Sequence, residues 1–469
     1  MNSFSSRILA VSLACLISLI AVPLVADDGS ISPDQLTALR SSFHMDAHTR
    51  AMYNAITNID ISQLTLNRDI VRKHNDLFSN KIKTSSVTNQ LASGRCWLFA
   101  ALNVLRPELV VKHKLGKFEL SQAYLAFWDK MEKANCFLED IIDLADRDTL
   151  DRDMQVVLTR AGVDDGWWEY VPALIKKYGV VPQEIMPETH SSSSTGQMNG
   201  VLRRKLKLEA VHLRQLKQQS KSLAELRAEK AKVLAEIYRL LVINMGEPPA
   251  TFSWRFEDKD SKLSAMKTYT PQSFWKEWVG EINFDDYVQL ANVPGQDYGK
   301  LYSISHSRNI EGAPDVQYLN MKIDVLKAAA LKSVLDKQPV WFAADVGKDQ
   351  DGPHGIMEVG VHDFASIFGD TGKLTKAQCW SYYEGNPTHA MVFMGVDLQD
   401  NKPVKWLVEN SWGKDKGHEG YWSLYDNWFN EHLYMIVVKK AYVPQDVLKL
   451  YKQMPIVLPR WHPMAQLSD

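Results

Sequence analysis

Cysteine is scarce in this chain: 469 residues hold four, Cys15, Cys96, Cys136 and Cys379. A scaffold stapled by disulfides is excluded, and the core must be held by packing. With 24 glycines and 19 prolines, collagen-like and low-complexity classes are excluded too, and 45% hydrophobic against 23% charged residues rules out a disordered chain. An excess of one charge sign is also missing. Lys plus Arg number 54 and Asp plus Glu 56, a net charge of -2, so no whole-chain field favours nucleic acid or an anionic membrane. Long apolar runs are absent except at the start. There Arg7 precedes an uncharged stretch over residues 8–25, closed by Ala26 before Asp27 and Asp28. With Pro23 near the small residue, this reads as a secretory signal over residues 1–26, removed near Ala26. A run of that length also fits an uncleaved membrane anchor. The signal reading places the protein outside the cytoplasm, periplasmic or secreted, with no membrane attachment after cleavage. The three remaining cysteines are an odd number, and Cys136 can pair with Cys379 in an oxidising compartment.

At roughly 150 residues per domain, the length allows two or three domains or one with a large insertion. Ser32-Pro-Asp-Gln35 resembles a capping box and predicts a helix to about Ala47, within an N-terminal arm over residues 27–85. The apolar run after Cys96 predicts a buried helix from near Gly94 to just before Pro107, followed by helices over 121–136 and 168–178, the last closed by Gly179. Residues 201–240 have no Gly or Pro, 11 basic and 4 acidic residues, and leucines near heptad spacing at 206, 213, 216, 223 and 226. They predict a long helix or a helical pair, within a helical insertion over 201–330. Its charge suits a solvated face, or a basic surface that meets polyanions such as nucleic acid. Short strands follow at 340–346, 390–396, 405–408, 420–424 and 434–439. Helices first and strands later make an α+β arrangement.

A cysteine is nucleophilic as the thiolate, and the first turn of a helix lowers its pKa. Cys96 meets that condition, although a cysteine beside Trp97 and Leu98 also fits a core position. His389 stands just before one strand and Asn410 just after another, so paired strands can bring them together, with the amide oxygen holding the imidazole as base. Trp412 can shield that hydrogen bond from water. Gln90, six residues before Cys96, can join the Cys96 N–H as an oxyanion donor. His354, Glu358 and His362 would share one face of a helix, but Gly355 and Gly360 oppose that helix, so no metal is expected.

Gln90-Leu-Ala-Ser-Gly-Arg-Cys96-Trp-Leu-Phe-Ala, Thr388-His389-Ala390-Met391 and Val408-Glu-Asn410-Ser-Trp412-Gly resemble the papain-like cysteine peptidases, and more closely their bleomycin hydrolase and aminopeptidase C branch. Glu119-Leu-Ser-Gln-Ala-Tyr-Leu, Tyr178-Gly-Val-Val-Pro, Trp341-Phe-Ala-Ala-Asp-Val-Gly-Lys and Pro455-Ile-Val-Leu-Pro-Arg-Trp-His-Pro-Met464 look like the same branch. The resemblance implies a papain-like fold: a helical half over 86–200 with Cys96, the insertion, a β-rich half over 331–455 with His389 and Asn410, and a C-terminal arm over 456–469. It implies Cys96 as nucleophile, His389 as general base and then acid, Asn410 as its orienter, and Gln90 as oxyanion donor. Peptide substrates, no cofactor, and a homohexamer with inward-facing sites are implied as well. In such relatives the arm lies in the cleft and its carboxylate meets the substrate's free amino group, which makes an aminopeptidase; an endopeptidase is the alternative. Here that carboxylate would belong to Asp469, with Trp412 at the cleft. Two departures bear on specificity. Asp165-Gly166-Trp167-Trp168 stands where two glycines and a glutamine usually precede the tryptophan, and Ala465 replaces a usual glycine in the arm.

Overall fold

The structure is a computed structural model that describes residues 29–465, apart from 85, 281 and 371. The expected signal over 1–26, Cys15 and the carboxylate of Asp469 lie outside the described residues. Residues up to Leu64 form one compact unit and Thr65 onward a second. In the first, α1 (Pro33–Ser42) begins with the Ser32/Gln35 capping box and Pro33 in the first turn. It stops five residues short of the expected end because Phe43 is extended, and Asp46 then caps a new helix, α2 (Ala47–Ile56), by accepting the Thr49 N–H at 2.7 Å.

After a short helix at Arg68–Lys73, the second unit places α3 (Cys96–Lys112), in which nearly every residue to Leu109 is buried. Pro107 sits inside this helix rather than beyond it. Burying an apolar helix of that length outweighs the roughly 3 kcal/mol that an interior proline costs. Next come α4 (Gln122–Asp143), which ends seven residues later than expected, and α5 (Tyr170–Tyr178), closed by Gly179 at φ 73°. The basic stretch is a pair, α6 (Gly196–Gln218) and α7 (Leu223–Met245), separated by a turn that a Ser222/Glu225 capping box ends. Both pack on α4 through Leu202, Leu206 and Leu213 of one and Leu226, Val233 and Ile237 of the other.

Residues 201–330 are not helical throughout. Gly246, at φ 85°, ends α7 ahead of Pro248 and Pro249, and β1 (Tyr287–Ala291), β2 (Lys300–Ile304) and β3 (Gln317–Asn320) follow, joining the main sheet. These strands are short and buried on both faces, so they lack the alternation that marks a strand in sequence. After α8 (Ile323–Leu335) the expected strands appear as β4 (Val340–Ala344), β5 (His389–Gln399), β6 (Lys402–Glu409), β7 (Tyr421–Tyr425) and β8 (Leu433–Lys439), and β9 (Ile456–Leu458) adds to the edge. The sheet order runs β9-β2-β3-β1-β8-β4-β5-β6-β7, with short strands beyond β7. Its central strands separate two cores by period two. Trp341, Ala343, Ala390 and Val392 join the core of α3, while Phe342, Met391, Phe393 and Ile436 join that of α8. Among the described residues no helix is long and apolar enough to cross a membrane.

Gly179 is required by its surroundings as well as its backbone, since a Cβ there would lie 2.3 Å from the Pro271 carbonyl carbon. Gly179→Ala is expected to lower unfolding free energy by about 2–3 kcal/mol, from the left-handed strain and the clash. A urea midpoint equal to wild type would contradict this.

Candidate active site

Cys96 is the first residue of α3 and is 2% exposed. The turn before it is tied from several sides, so the helix start is held in place without a side-chain cap. Arg95 makes a bidentate pair with Glu188, at 3.1 and 2.9 Å, and its Nε donates to Ser93 Oγ at 3.0 Å. The Gly94 N–H donates to Asp164 Oδ2 at 3.2 Å, and the Trp97 indole N–H donates to the Asp164 carbonyl at 2.8 Å. Burial opposes ionisation of Asp164, yet the Lys130 ammonium and the Thr195 hydroxyl hold its carboxyl well below the usual range. From the sheet, the Trp341 indole N–H reaches the Trp97 carbonyl at 3.2 Å.

The strand register brings the other two residues together. His389 begins β5 opposite Ala344 of β4, and Val392 stands opposite Glu409, the last residue of β6, which places Asn410 at the same end. The His389 Nε2–H donates to Asn410 Oδ1 at 2.8 Å, and the Trp412 ring lies 4.8 Å from the imidazole at 32°. This arrangement leaves Nδ1 to exchange protons with a substrate or a thiol. Burial pushes the His389 pKa down to about 4, with the Asn410 hydrogen bond acting the other way, so the ring is neutral at ordinary pH. Gln90 adjoins this end as well. Its backbone N–H donates to the Ser411 carbonyl at 2.8 Å, its Oε1 accepts from Ser411 Oγ at 2.6 Å, and its Nε2 donates to the Ser93 carbonyl at 2.6 Å. One Nε2 hydrogen is thus engaged beside Cys96, and an amide nitrogen carries two.

Two residues not foreseen from the sequence join the halves. Arg106 of α3 and Glu409 of β6 form a fully buried ion pair, and Arg106 also donates to Thr84 Oγ1 at 3.0 Å. A charge interrupting each of two apolar runs was the available signal.

The expected substrate residues divide. Gly166 packs against Trp97 so closely that a Cβ would lie 2.6 Å from the indole. Asp165 borders a cavity of about 90 Å³ shared with Arg460 and Ala465 of the arm. The arm is anchored by Arg460 to Asp140 and Asp153, at 3.4 and 3.5 Å, and Met464 and Ala465 are buried. Cys136 and Cys379 are unbridged thiols, so the disulfide considered between them is not formed. His354 and His362 lie outside any helix; the first pairs with Asp351 at 2.6 Å, and the second contacts Thr65 Oγ1 at 3.1 Å and the Gln350 carbonyl at 3.0 Å.

Compared with known proteins, residues 30–465 match the peptidase C1-like family. The chain belongs to that family. It is 38% identical over 443 residues to aminopeptidase C of Streptococcus thermophilus, covering 94% of this chain and 99% of that protein. Bleomycin hydrolase of Mus musculus is 36% identical over 454 residues, covering 94% and 100%. A crystal structure of PepW from Lactobacillus rhamnosis HN001 aligns with a TM-score of 0.89 at 39% identity, over 93% of this chain and 99% of that one. This peptidase C1-like chain therefore has an α+β papain-like fold and is a cysteine-type peptidase.

Glu409→Gln leaves the Arg106 guanidinium buried and unpaired, and is expected to cost about 3–5 kcal/mol in urea unfolding. A loss under about 1 kcal/mol, the scale of exposed pairs, would show that the pair is solvated. The pH profile of kcat/KM is expected to fall as pH drops through about 4, where His389 becomes protonated. An acid limb at the ordinary histidine value would contradict the buried imidazole.

Proposed function

We propose that the protein is an exported cysteine aminopeptidase in which Cys96, His389, Asn410 and Gln90 carry the reaction. The single observation that supports these roles best is the His389–Asn410 hydrogen bond at the end of the β5/β6 pair, against which the helix headed by Cys96 packs. His389 takes the Cys96 proton, and sulfur attacks the peptide carbonyl carbon. The oxyanion is met by the Cys96 N–H and the Gln90 amide. His389 then protonates the departing amine, leaving a thioester on Cys96, and next deprotonates a water that cleaves the thioester, releasing the acid and restoring the thiol. Asn410 keeps the imidazole in one tautomer throughout, as the third member of a triad does.

Selectivity for free N-termini is assigned to the arm. Its anchoring through Arg460 and the burial of Met464 and Ala465 support a fixed approach toward the cavity that Asp165 borders. The Asp469 carboxylate would then hold the substrate ammonium by a charge-assisted hydrogen bond. The relatives named aminopeptidase C and bleomycin hydrolase support the same assignment. A homohexamer is supported by Val201, Leu208 and Val211, exposed along one face of α6. Export is supported by the apolar sequence of residues 8–25.

Purified protein is expected to hydrolyse aminoacyl reporter substrates, to spare N-terminally blocked ones, and to lose activity in Cys96→Ala. Removal of residues 465–469 is expected to shift cleavage toward blocked substrates. Activity surviving Cys96→Ala would end the mechanism, and an unchanged product pattern after truncation would end the role of the arm.

A further inference from the structure

A cavity of about 290 Å³ lies between the C-terminal arm and the segment that leads into His389. None of Cys96, His389, Asn410 or Gln90 lines it, but Asn386 does. Three residues of chain span at most about 11 Å, so the rim lies within that distance of the His389 backbone. The walls come from three places. Trp461 and Pro463 stand on the arm, Thr159 and Arg160 at the end of the helix Arg152–Thr159, and Trp380 and Tyr383 on the short helix Lys376–Ser381 and the turn after it.

Two of the three aromatic rings are held by other side chains. Trp380 packs 5.5 Å from the Tyr434 ring and 5.7 Å from that of His462, and the Arg152 guanidinium lies 4.6 Å from the Trp461 ring. Tyr383 differs. It is 81% exposed and sits at φ 60°, a left-handed backbone that disfavours a bulky residue. A large apolar ring kept at a cavity rim on a disfavoured backbone, six residues before His389, is the kind of feature that collects where ligands are gripped.

The charges on the wall select among side chains. Among the described residues, Arg160 is the only charged side chain lining the cavity, and no carboxylate does. His462, also on the wall, adds no charge. Burial pushes its pKa down to about 4, and its ring nitrogens contact the Gln296 amide at 2.9 Å and the Met464 N–H at 3.2 Å. A cationic side chain would meet Arg160 with no carboxylate to receive it, whereas an aromatic ring packs against other rings and against a guanidinium face. The volume is just below the roughly 300 Å³ at which pockets for whole small-molecule ligands begin, and suits a single side chain. Resting on the catalytic roles assigned above, we propose that this cavity is the subsite for an aromatic side chain on the amino side of the bond being cut, with the Tyr383 ring closing over it.

The test compares phenylalanyl, alanyl, aspartyl and lysyl reporter substrates with free amino groups on the purified full chain. The phenylalanyl substrate is expected to exceed the alanyl one in kcat/KM by about tenfold or more, since a buried ring removes far more apolar surface from water than a methyl group. The difference should fall mainly in KM, because the subsite holds substrate and transition state alike. Tyr383→Ala should cut that preference by about threefold or more, acting more on the phenylalanyl than on the alanyl substrate, and Tyr383→Phe should restore it. Thr159→Trp, which fills the cavity from its helical wall, should lower the preference independently. Equal kcat/KM for the phenylalanyl and alanyl substrates would overturn the proposal. So would a preference for the aspartyl or lysyl substrate, or an aromatic preference undiminished in both Tyr383→Ala and Thr159→Trp. Cleavage of N-terminally blocked peptides alone would end the aminopeptidase reading but not this one, and the same comparison then passes to blocked peptides with Phe or Ala before the cut. Cleavage of neither kind would end both.

Discussion

The contact on which the rest of the site depends is the buried ion pair between Arg106 and Glu409. These residues lie three turns along the helix that Cys96 begins and one residue before Asn410. Joining them ties the helical half to the β-rich half at the spot where the two must agree. The pair is expensive. Burial pushes the Glu409 pKa up to about 6 against the pull of Arg106, and part of each group has no further partner. A hydrophobic pair of similar volume would hold the halves together as well or better. What an ion pair adds is direction, since a helix sliding along the sheet would separate the charges at once, whereas apolar contacts tolerate such a slip.

The same logic runs through the surroundings of Cys96. Arg95 with Glu188, Asp164 with Lys130 and the Trp341–Trp97 hydrogen bond each tether the start of α3 to a different element. A nucleophile at a helix start gains from the aligned peptide dipoles only if that start is immobile. His389 is held comparably, through the sheet register on one side and Asn410 on the other. The geometry of the proposed catalytic residues comes from hydrogen bonds between secondary-structure ends, laid over two apolar cores that share the central strands.

The basic helical pair shows how a charge pattern changes meaning once folded. Residues 201–240 carry 11 basic side chains against 4 acidic ones, an apparent polyanion surface. Many of these cations dock the pair instead. Arg227 and Lys230 bind Glu139 of α4, Lys205 bridges Glu209 and Glu236, and Arg214 and Arg203 donate to the carbonyls of Arg147 and Ala161. The partners of Arg227, Lys230, Arg214 and Arg203 lie elsewhere in the chain, so no local count reveals them.

The sequence by itself marked out the residues proposed to carry the chemistry and most of the elements that hold them. Cys96 at a helix start, His389 before a strand, Asn410 after one and Gln90 upstream were legible because each is marked by local features, a break in an apolar run or a motif. The helices with clear caps and the central strands were legible for the same reason. Only the tertiary structure decided that His389 meets Asn410, that Arg106 meets Glu409, and that β1, β2 and β3 extend the sheet. It also decided that α3 continues through Pro107. Those outcomes depend on pairing between residues far apart in the chain, or on burial that outweighs local preference. A sequence pattern reports local propensity and periodicity, and the energy of long-range burial and pairing appears only when the distant partner is in place.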